Sequence, residues 1–200
     1  MFEIVRPAFV LMALFSLTTG LLYPLALTAF AQVVFPFAAN GSLLKSEGKA
    51  VGSALIGQQF STDHYFHGRP SATSAPDPND ESKTVDAPYN AAASGGSNLG
   101  PLSKKLMARL ETDAEALRGG PGSRIPADAV TTSASGLDPH ISLAYALLQV
   151  ERVAKARQLS AERVRLVVER AAERPWLGLV GEVRINVLHL NLALDRLKQT

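Results

Sequence analysis

Serine, aspartate and histidine residues that could perform nucleophilic catalysis lie close together in a short stretch, Ser133–His140. Such a hydrolase needs a serine that is activated by a histidine, which a carboxylate orients. Ser133 and Ser135 are the candidate nucleophiles, but the G-x-S-x-G pattern that exposes a nucleophile on a strand–helix turn is absent. Asp138 precedes Pro139, which is typical of a helix start that Asp138 would cap. We therefore predict no catalytic residue, and a membrane-tethered serine hydrolase of the exoplasmic face is the alternative interpretation.

Two histidines beside an aspartate form a candidate metal site. His64 and His67 are three residues apart and follow Asp63, so they would share one turn of a helix. Gly68 and Pro70 disfavour a helix here, and no third ligand is evident nearby. We therefore predict no metal site. The chain has no cysteine, which excludes disulfides and thiolate metal sites.

A glycine-rich stretch, Gly95–Gly100, has the two glycines of a phosphate-binding loop at the right spacing. A lysine and then a serine or threonine should follow, but Pro101 and Leu102 stand there. A glycine-rich turn that opens a helix remains, and helix N-termini can hold an anion. A turn that needs flexible residues is the simpler interpretation.

The longest feature of the chain is an uncharged run from Ala8 to Ala39. About 20 apolar residues suffice for a helix to cross the hydrocarbon layer of a bilayer. The run predicts a short N-terminal head over residues 1–6, a transmembrane helix over 7–29 and an exit segment over 30–41. The hydroxyls of Ser16, Thr18 and Thr19 are candidates for hydrogen bonds to a partner helix.

A cleaved signal peptide is the alternative to a retained anchor, because Ala29-Phe30-Ala31 fits a cleavage pattern. The apolar run is, however, far longer than the 7–15 residues of a typical signal core, which favours the anchor. The predicted fold class is a single N-terminal transmembrane helix plus one mixed α+β soluble domain.

The predicted soluble domain covers residues 42–200. It is expected to open with a β-hairpin over 42–60 that turns at Glu47-Gly48, and a long loop over 70–100 follows. The later elements are predicted from apolar periodicity and helix caps as helices over 101–117, over 138–157 and from Ser160 to Pro175, with a short strand over 182–185. The pattern of residues 187–197 fits a strand as well as a helix, and its leucine and alanine content favours a helix. The net charge of +2 is too balanced to indicate nucleic-acid binding.

Polar residues between Gln149 and Arg165 raise two further expectations. Gln149 is an amide within an apolar-rich helix and needs partners if it is buried. A basic cluster nearby is expected to form a solvated face; its members are Arg152, Lys155, Arg157, Arg163 and Arg165.

Several sequence blocks together resemble the C subunit of the Kdp-type, high-affinity potassium-transporting ATPase, the KdpC family. The blocks are VGSALIGQ at 51–58, YFHGRPSA at 65–72, SGGSNLGP at 94–101, SASGLDPHIS at 133–142, QVERVA at 149–154 and NVLHLNLALD at 186–195. They occur in the family's order and cover nearly the whole chain. One departure is Leu148, where the family pattern has a tyrosine.

The resemblance implies a non-catalytic subunit that crosses the bacterial inner membrane once, with a cytoplasmic N-terminus and a periplasmic domain. Its implied partners are a potassium-binding channel-like subunit, a P-type ATPase subunit that hydrolyses ATP, and a small membrane peptide. The family is also described as a catalytic chaperone that raises ATP affinity, and Gln149 corresponds to a glutamine implicated in nucleotide contact. An exoplasmic domain cannot contact cytoplasmic ATP, so we expect no cofactor and a role in complex assembly and potassium access.

Overall fold

The structure is a computed structural model, and it describes residues 2–118, 124–175, 178 and 181–197. The chain divides into two units, Met1–Ser53 and Ala54–Thr200, and each is described by itself.

The first unit is dominated by a long apolar helix. Helix α1 (Phe2–Leu17) and helix α2 (Tyr23–Val34) are joined without a break by a π-helical turn, Thr18–Leu22. The stretch Glu3–Val34 is long and apolar enough to cross a membrane, with a mean hydropathy of 1.9. The helix extends beyond the predicted 7–29 at both ends, because neither the head nor the exit segment contains a residue that stops a helix before Phe35. There the backbone leaves the helix ahead of Pro36, which disfavours a helical preceding residue, and a short helix α3 follows (Pro36–Ala39).

The hydroxyls in the middle of this helix bond within it. Thr18 Oγ1 donates to the Leu14 carbonyl at 2.8 Å, and Thr19 Oγ1 donates to the Phe15 carbonyl at 2.6 Å. In the structure these two hydroxyls donate within their own helix, because a carbonyl one turn back is within reach of any helical threonine. Hydrogen bonds to a partner helix stay a prediction.

A β-hairpin completes the first unit. Strands β1 (Leu43–Ser46) and β2 (Lys49–Ser53) are antiparallel. Glu47 and Gly48 both have positive φ, 51° and 79°, as the favoured two-residue hairpin turn requires. The predicted hairpin and its turn are confirmed, but the returning strand ends at Ser53 rather than near residue 60.

The second unit contains a hairpin that the sequence did not indicate. Strands β3 (Ser74–Asp77) and β4 (Asp80–Asp86) pair antiparallel within the segment predicted as a loop, 70–100. The turn is held by Asp77, whose Oδ1 accepts from the Asn79 N–H at 2.8 Å. Small and charged residues build both strands, so no apolar alternation revealed them.

Two helices follow this hairpin. Helix α4 (Lys104–Leu117) begins at Ser103, whose hydroxyl accepts from the Leu106 N–H, rather than at Pro101. A single turn, α5 (Ala127–Val130), lies in a region without a predicted element.

The core of the second unit is a small antiparallel sheet covered by three helices. The strands are β5 (His140–Ser142), β6 (Ala172–Glu173) and β7 (Arg184–Asn186), with β7 in the centre. The helices are α6 (Leu143–Arg157), α7 (Ala161–Ala171) and α8 (Val187–Leu197). Their buried side chains include Ile141, Ala146, Val150, Val153, Val164, Val168, Ile185, Leu190 and Leu194. The structure thus has the predicted fold class, a long apolar N-terminal helix and a mixed α+β soluble region.

Helix α6 begins later than predicted. Asp138 does not cap a helix: its Oδ1 accepts from the His140 N–H at 2.9 Å, and its Oδ2 accepts from Arg69 at 3.1 Å. Ser142 caps α6 instead, since its hydroxyl accepts from the Tyr145 N–H at 3.0 Å. The prediction failed because Arg69, distant in sequence, uses the Asp138 carboxylate and because residues 140–142 pair with β7.

Candidate functional site

An irregular segment, Asp63–Arg69, is fixed to the second unit by side chains, and we name it the clamped segment. Every main-chain carbonyl in it accepts a hydrogen bond from a side chain elsewhere in the unit. The donors, in chain order of the carbonyls, are Arg152, Arg157, Arg152 again, Asn191, Gln149, Tyr145 and Tyr89. Side chains therefore do here what a neighbouring strand does in a sheet.

Two amides at the centre of the clamped segment form paired hydrogen bonds with successive residues. Asn191 accepts from the Phe66 N–H at 2.8 Å and donates to the Phe66 carbonyl at 3.0 Å. Gln149 accepts from the His67 N–H at 2.8 Å and donates to the His67 carbonyl at 3.1 Å. The Phe66 ring is fully buried, so these amides pin the segment at the point where it enters the core.

Gln149, the predicted site residue, is 4% exposed and is engaged at both ends of its amide. Besides the two bonds to His67, its Oε1 accepts from Arg152 Nη2 at 2.7 Å. The amide oxygen thus accepts two hydrogen bonds in the structure, and any further ligand would compete with them.

Two arginines of the basic cluster are part of this arrangement rather than of a solvated face. The Arg157 side chain is 5% exposed, bonds Asp195 at 2.9 Å and lies 5.0 Å from the centre of the Tyr65 ring. Arg152 bridges Gln149, Tyr65 and the Asp63 backbone. For these two residues the predicted solvated face is wrong, because a planar guanidinium can serve several acceptors at once.

The three other members of the basic cluster are exposed, as predicted: Lys155, Arg163 and Arg165.

The electrostatics of the clamped segment favour a neutral histidine beside a charged arginine. Burial, and then the positive charge of Arg152, lowers the pKa of His67. Burial also lowers the pKa of Arg152, and the Asp63 carboxylate opposes this effect. Because the unfolded chain binds a proton at His67 more readily than the folded protein does, folding stability decreases as the pH falls below about 6.5.

Glycines of two sequence blocks make room for Tyr89, which binds the end of the clamped segment. Tyr89 Oη donates to the Arg69 carbonyl at 2.7 Å. A Cβ atom on Gly68 would lie 2.2 Å from Tyr89 Oη, and one on Gly57 would lie 2.6 Å from Tyr89 Cε1. Burial, and then Asp138, raises the pKa of Tyr89, so this tyrosine stays protonated and can donate.

An open groove of about 770 Å³ begins where the clamped segment ends. Its polar lining includes Arg69, Asp138, His140, Glu173 and Arg184. Burial opposes ionisation of Asp138, but hydrogen bonds from His140 and Arg69 outweigh it and lower the pKa of the carboxyl group. Arg184 bonds Glu173 at 3.1 Å across the same groove. Two ion pairs, Arg69–Asp138 and Arg184–Glu173, thus line it.

The residues considered for catalysis have structural partners. Ser133 is buried, and the Ser135 hydroxyl accepts from the Leu137 N–H at 3.1 Å. Within the described parts of the chain, no hydrogen bond joins either serine to His140. The arrangement of a serine hydrolase is therefore not supported.

The histidines considered for metal binding also lack a ligand set. Through residues 2–118, 124–175, 178 and 181–197, no group of three or more histidines and carboxylates lies close enough together to hold a metal ion. His67 Nε2 instead lies 3.1 Å from the Thr62 carbonyl.

Similarity to known proteins identifies the family of this chain. Residues 5–196 match the family KdpC, described as "K+-transporting ATPase, c chain". The chain belongs to the KdpC family. A relative from Bradyrhizobium diazoefficiens is 58% identical over 193 residues, which is 96% of each chain. Another, from Rhodopseudomonas palustris strain BisB18, is 58% identical over 199 residues, covering 99% of this chain and all of the relative.

A third relative, from Methylobacterium nodulans, is 58% identical over 198 residues and 98% of each chain. All three relatives carry the name "Potassium-transporting ATPase KdpC subunit". The predicted family resemblance is confirmed, and with it the coarse function: the chain is a KdpC-type subunit of a potassium-transporting ATPase.

Most residues that hold the clamped segment were not predicted as site residues. The family resemblance indicated Gln149 as a nucleotide contact, and its place in an apolar helix indicated that it needs partners if it is buried. The same signal was present at Asn191, which lies among leucines in the last helix. Arg157 and Tyr89 gave no local signal, since their partners lie far away in sequence.

Proposed function

We propose that this protein is a non-catalytic accessory subunit of an ATP-driven potassium uptake pump. Its long helix holds it in the inner membrane with a cytoplasmic N-terminus. Its second unit, Ala54–Thr200, is the soluble unit and stands on the exoplasmic face. There the soluble unit stabilises the complex and assists access of potassium. The observation that carries the proposal is the clamped segment, in which Gln149, Arg152 and Asn191 hold backbone groups of their own chain.

The partners in this proposal are the other subunits of the same pump. A potassium-binding channel-like subunit lies beneath the soluble unit, a P-type ATPase subunit hydrolyses ATP, and a small membrane peptide joins them. The chain carries 20 basic and 18 acidic residues. Such a balance produces no strong field that would concentrate cations, so a role in holding the channel-like subunit is favoured over electrostatic steering.

The family's effect on ATP affinity is proposed to act through contacts between subunits. Direct contact at Gln149 would require a nucleotide to displace hydrogen bonds from His67 and Arg152. Loss of a hydrogen-bond partner by a buried backbone group costs free energy, so binding of a nucleotide at Gln149 is disfavoured. Photoaffinity labelling of the intact pump with an azido-ATP tests the point: the label should attach to the ATPase subunit, and saturable labelling of this chain would contradict the proposal.

Deletion of residues Met1–Ala39 tests the role in assembly. Membranes that lack the chain are supplied either with the full chain or with the deleted form, and potassium-stimulated ATPase activity is measured. The full chain should restore activity and the deleted form should not. A deleted form that supports full activity would contradict the proposal. A third form, with an unrelated apolar helix in place of the natural one, separates simple tethering from contacts made by the helix itself.

A further inference from the structure

The π-helical turn leaves the Thr19 carbonyl, in the middle of the long helix, without a donor in either helical pattern, and it leaves the Gly20 carbonyl without its α-helical donor. In an α-helix the Thr19 carbonyl accepts from Tyr23, and in a π-helix it accepts from residue 24. Here the Tyr23 N–H donates to Thr18, and Pro24 has no N–H to donate. The Gly20 carbonyl would likewise accept from residue 24 in an α-helix.

These carbonyls lie where lipid would surround them. Thr19 and Gly20 are at the centre of the apolar stretch Glu3–Val34. They therefore lie in the hydrocarbon layer wherever within this stretch the helix enters and leaves it. Hydrocarbon contains no hydrogen-bond donor, and an unsatisfied backbone group there is strongly unfavourable. The nearby hydroxyls of Thr18 and Thr19 do not help, because they donate to other carbonyls.

The surface beside these carbonyls is open. Apart from Gly20 itself, its two chain neighbours and the backbone of the adjoining helical turns, no described atom lies within 4 Å of the position that a Cβ on Gly20 would occupy. A neighbouring helix can therefore approach the backbone closely at this level, as small residues allow in membrane helices. We name the Thr19 carbonyl, together with the missing side chain of Gly20, the carbonyl notch.

We infer that the carbonyl notch docks a transmembrane helix of another pump subunit, which inserts a hydroxyl or amide hydrogen-bond donor at the middle of the bilayer. A parallel second copy of this chain is a poorer occupant. It would bring Thr18 and Thr19 to the same level, and both of their hydroxyls already donate within their own helix. The inference rests on the proposed function and adds to it the position and chemistry of one subunit contact.

The substitution Pro24→Ala tests the inference by supplying the missing N–H. With that N–H the π-helical turn can relax to an α-helix, in which residue 23 serves the Thr19 carbonyl and residue 24 serves the Gly20 carbonyl. The helix then gains stability on its own while the docking site is lost. We expect the other pump subunits to co-purify with the full chain with an apparent affinity about 3- to 20-fold weaker, the range that interhelical hydrogen bonds produce in membrane proteins. Pro7→Ala is the matched control, since Pro7 lies beside Glu3 and Arg6 at the end of the apolar stretch, where water serves the backbone.

A second substitution, Gly20→Leu, fills the notch without changing the backbone hydrogen bonds. It should weaken co-purification to a similar degree, because the partner helix can no longer approach. Ala29→Leu is its control, because residue 29 is about 2.5 turns further along and lies on the opposite side of the helix.

The outcomes separate this inference from the proposed function. Weakened assembly for P24A and G20L, with normal assembly for P7A and A29L, supports the notch. Normal assembly for P24A and G20L overturns it, and the proposed function survives if deletion of Met1–Ala39 still abolishes assembly. A purified chain that forms dimers which G20L dissolves would also overturn it, because the occupant would then be a second copy.

Discussion

Replacement of Gln149 by leucine is the sharpest test of how the clamped segment is held. Leucine fills a similar volume but cannot bond to His67, so the His67 N–H and carbonyl lose their partners together. A buried polar group left unpaired costs about 1–3 kcal/mol. Arg152 keeps its bonds to Asp63 and Tyr65, and it therefore contributes little to the loss.

The expected loss of unfolding free energy follows from these contacts. Two unpaired groups give about 2–6 kcal/mol, and because His67 is only half-buried we expect about 2–4 kcal/mol. That is a large share of the roughly 5–15 kcal/mol that stabilises a typical domain. Hydrogen exchange of the His67 amide should correspondingly become about 30-fold faster or more.

The assay is urea unfolding of the full chain in detergent, followed by far-ultraviolet circular dichroism, with hydrogen exchange resolved for the clamped segment. Glu151→Leu is the matched control, because Glu151 is exposed on the same helix and should change stability by no more than about 0.5 kcal/mol. Loss of protection confined to residues near 63–69 is the expected pattern. A Q149L protein as stable as the natural chain, with unchanged exchange at His67, would refute the reasoning.

Two further predictions concern the same region. With His67→Gln, the protein should lose less stability between about pH 6.5 and 5 than the natural chain does, because burial lowers the pKa of His67 and the unfolded chain takes up its proton first. Unfolding curves recorded at several acidic pH values measure this, and His64→Gln, at an exposed position, is the control. An unchanged pH dependence in H67Q would contradict the prediction. Gly68→Ala should destabilise the protein by about 1–3 kcal/mol, because its Cβ would overlap Tyr89 Oη. Adding Tyr89→Phe removes that oxygen, so thermal unfolding should show partial rescue, and additive losses in the double variant would argue against the overlap.

Local signals predicted much of the fold. Glu47-Gly48 predicted a hairpin turn that needs two positive φ angles, and both residues have them. Ser160 predicted the start of α7, and its hydroxyl accepts from the Arg163 N–H. The apolar periodicity that predicted α7 also matches its buried face, since Val164 and Val168 are fully buried. In each case the information lies within a few residues of the feature.

The failures involve partners that are distant along the chain. Asp138 resembles a helix cap, yet Arg69 binds it, and no local pattern reports that pairing. Arg157 resembles a surface residue, yet its guanidinium bonds the His64 carbonyl. An irregular segment cannot be recognised as ordered from its own sequence when the side chains that order it belong to other elements.

For the site residues, too, local sequence signals were informative, but the partners distant along the chain were not predictable. Gln149 was predicted to need partners if buried, and the structure places it against His67, but the identity of that partner required the fold. Asn191 gave an equivalent signal, a polar residue among leucines. Both illustrate that an amide within an apolar stretch indicates a buried backbone group nearby.

The side of the membrane on which the soluble unit lies is the most direct test of the proposed function. Alkaline phosphatase, which is active only outside the cytoplasm, and a fluorescent protein that matures only inside it are fused in turn after Thr200 of the full chain. We predict phosphatase activity without fluorescence, since the soluble unit is proposed to stand on the exoplasmic face and to act through subunit contacts. Fluorescence without phosphatase activity would place the unit beside cytoplasmic ATP and contradict the account.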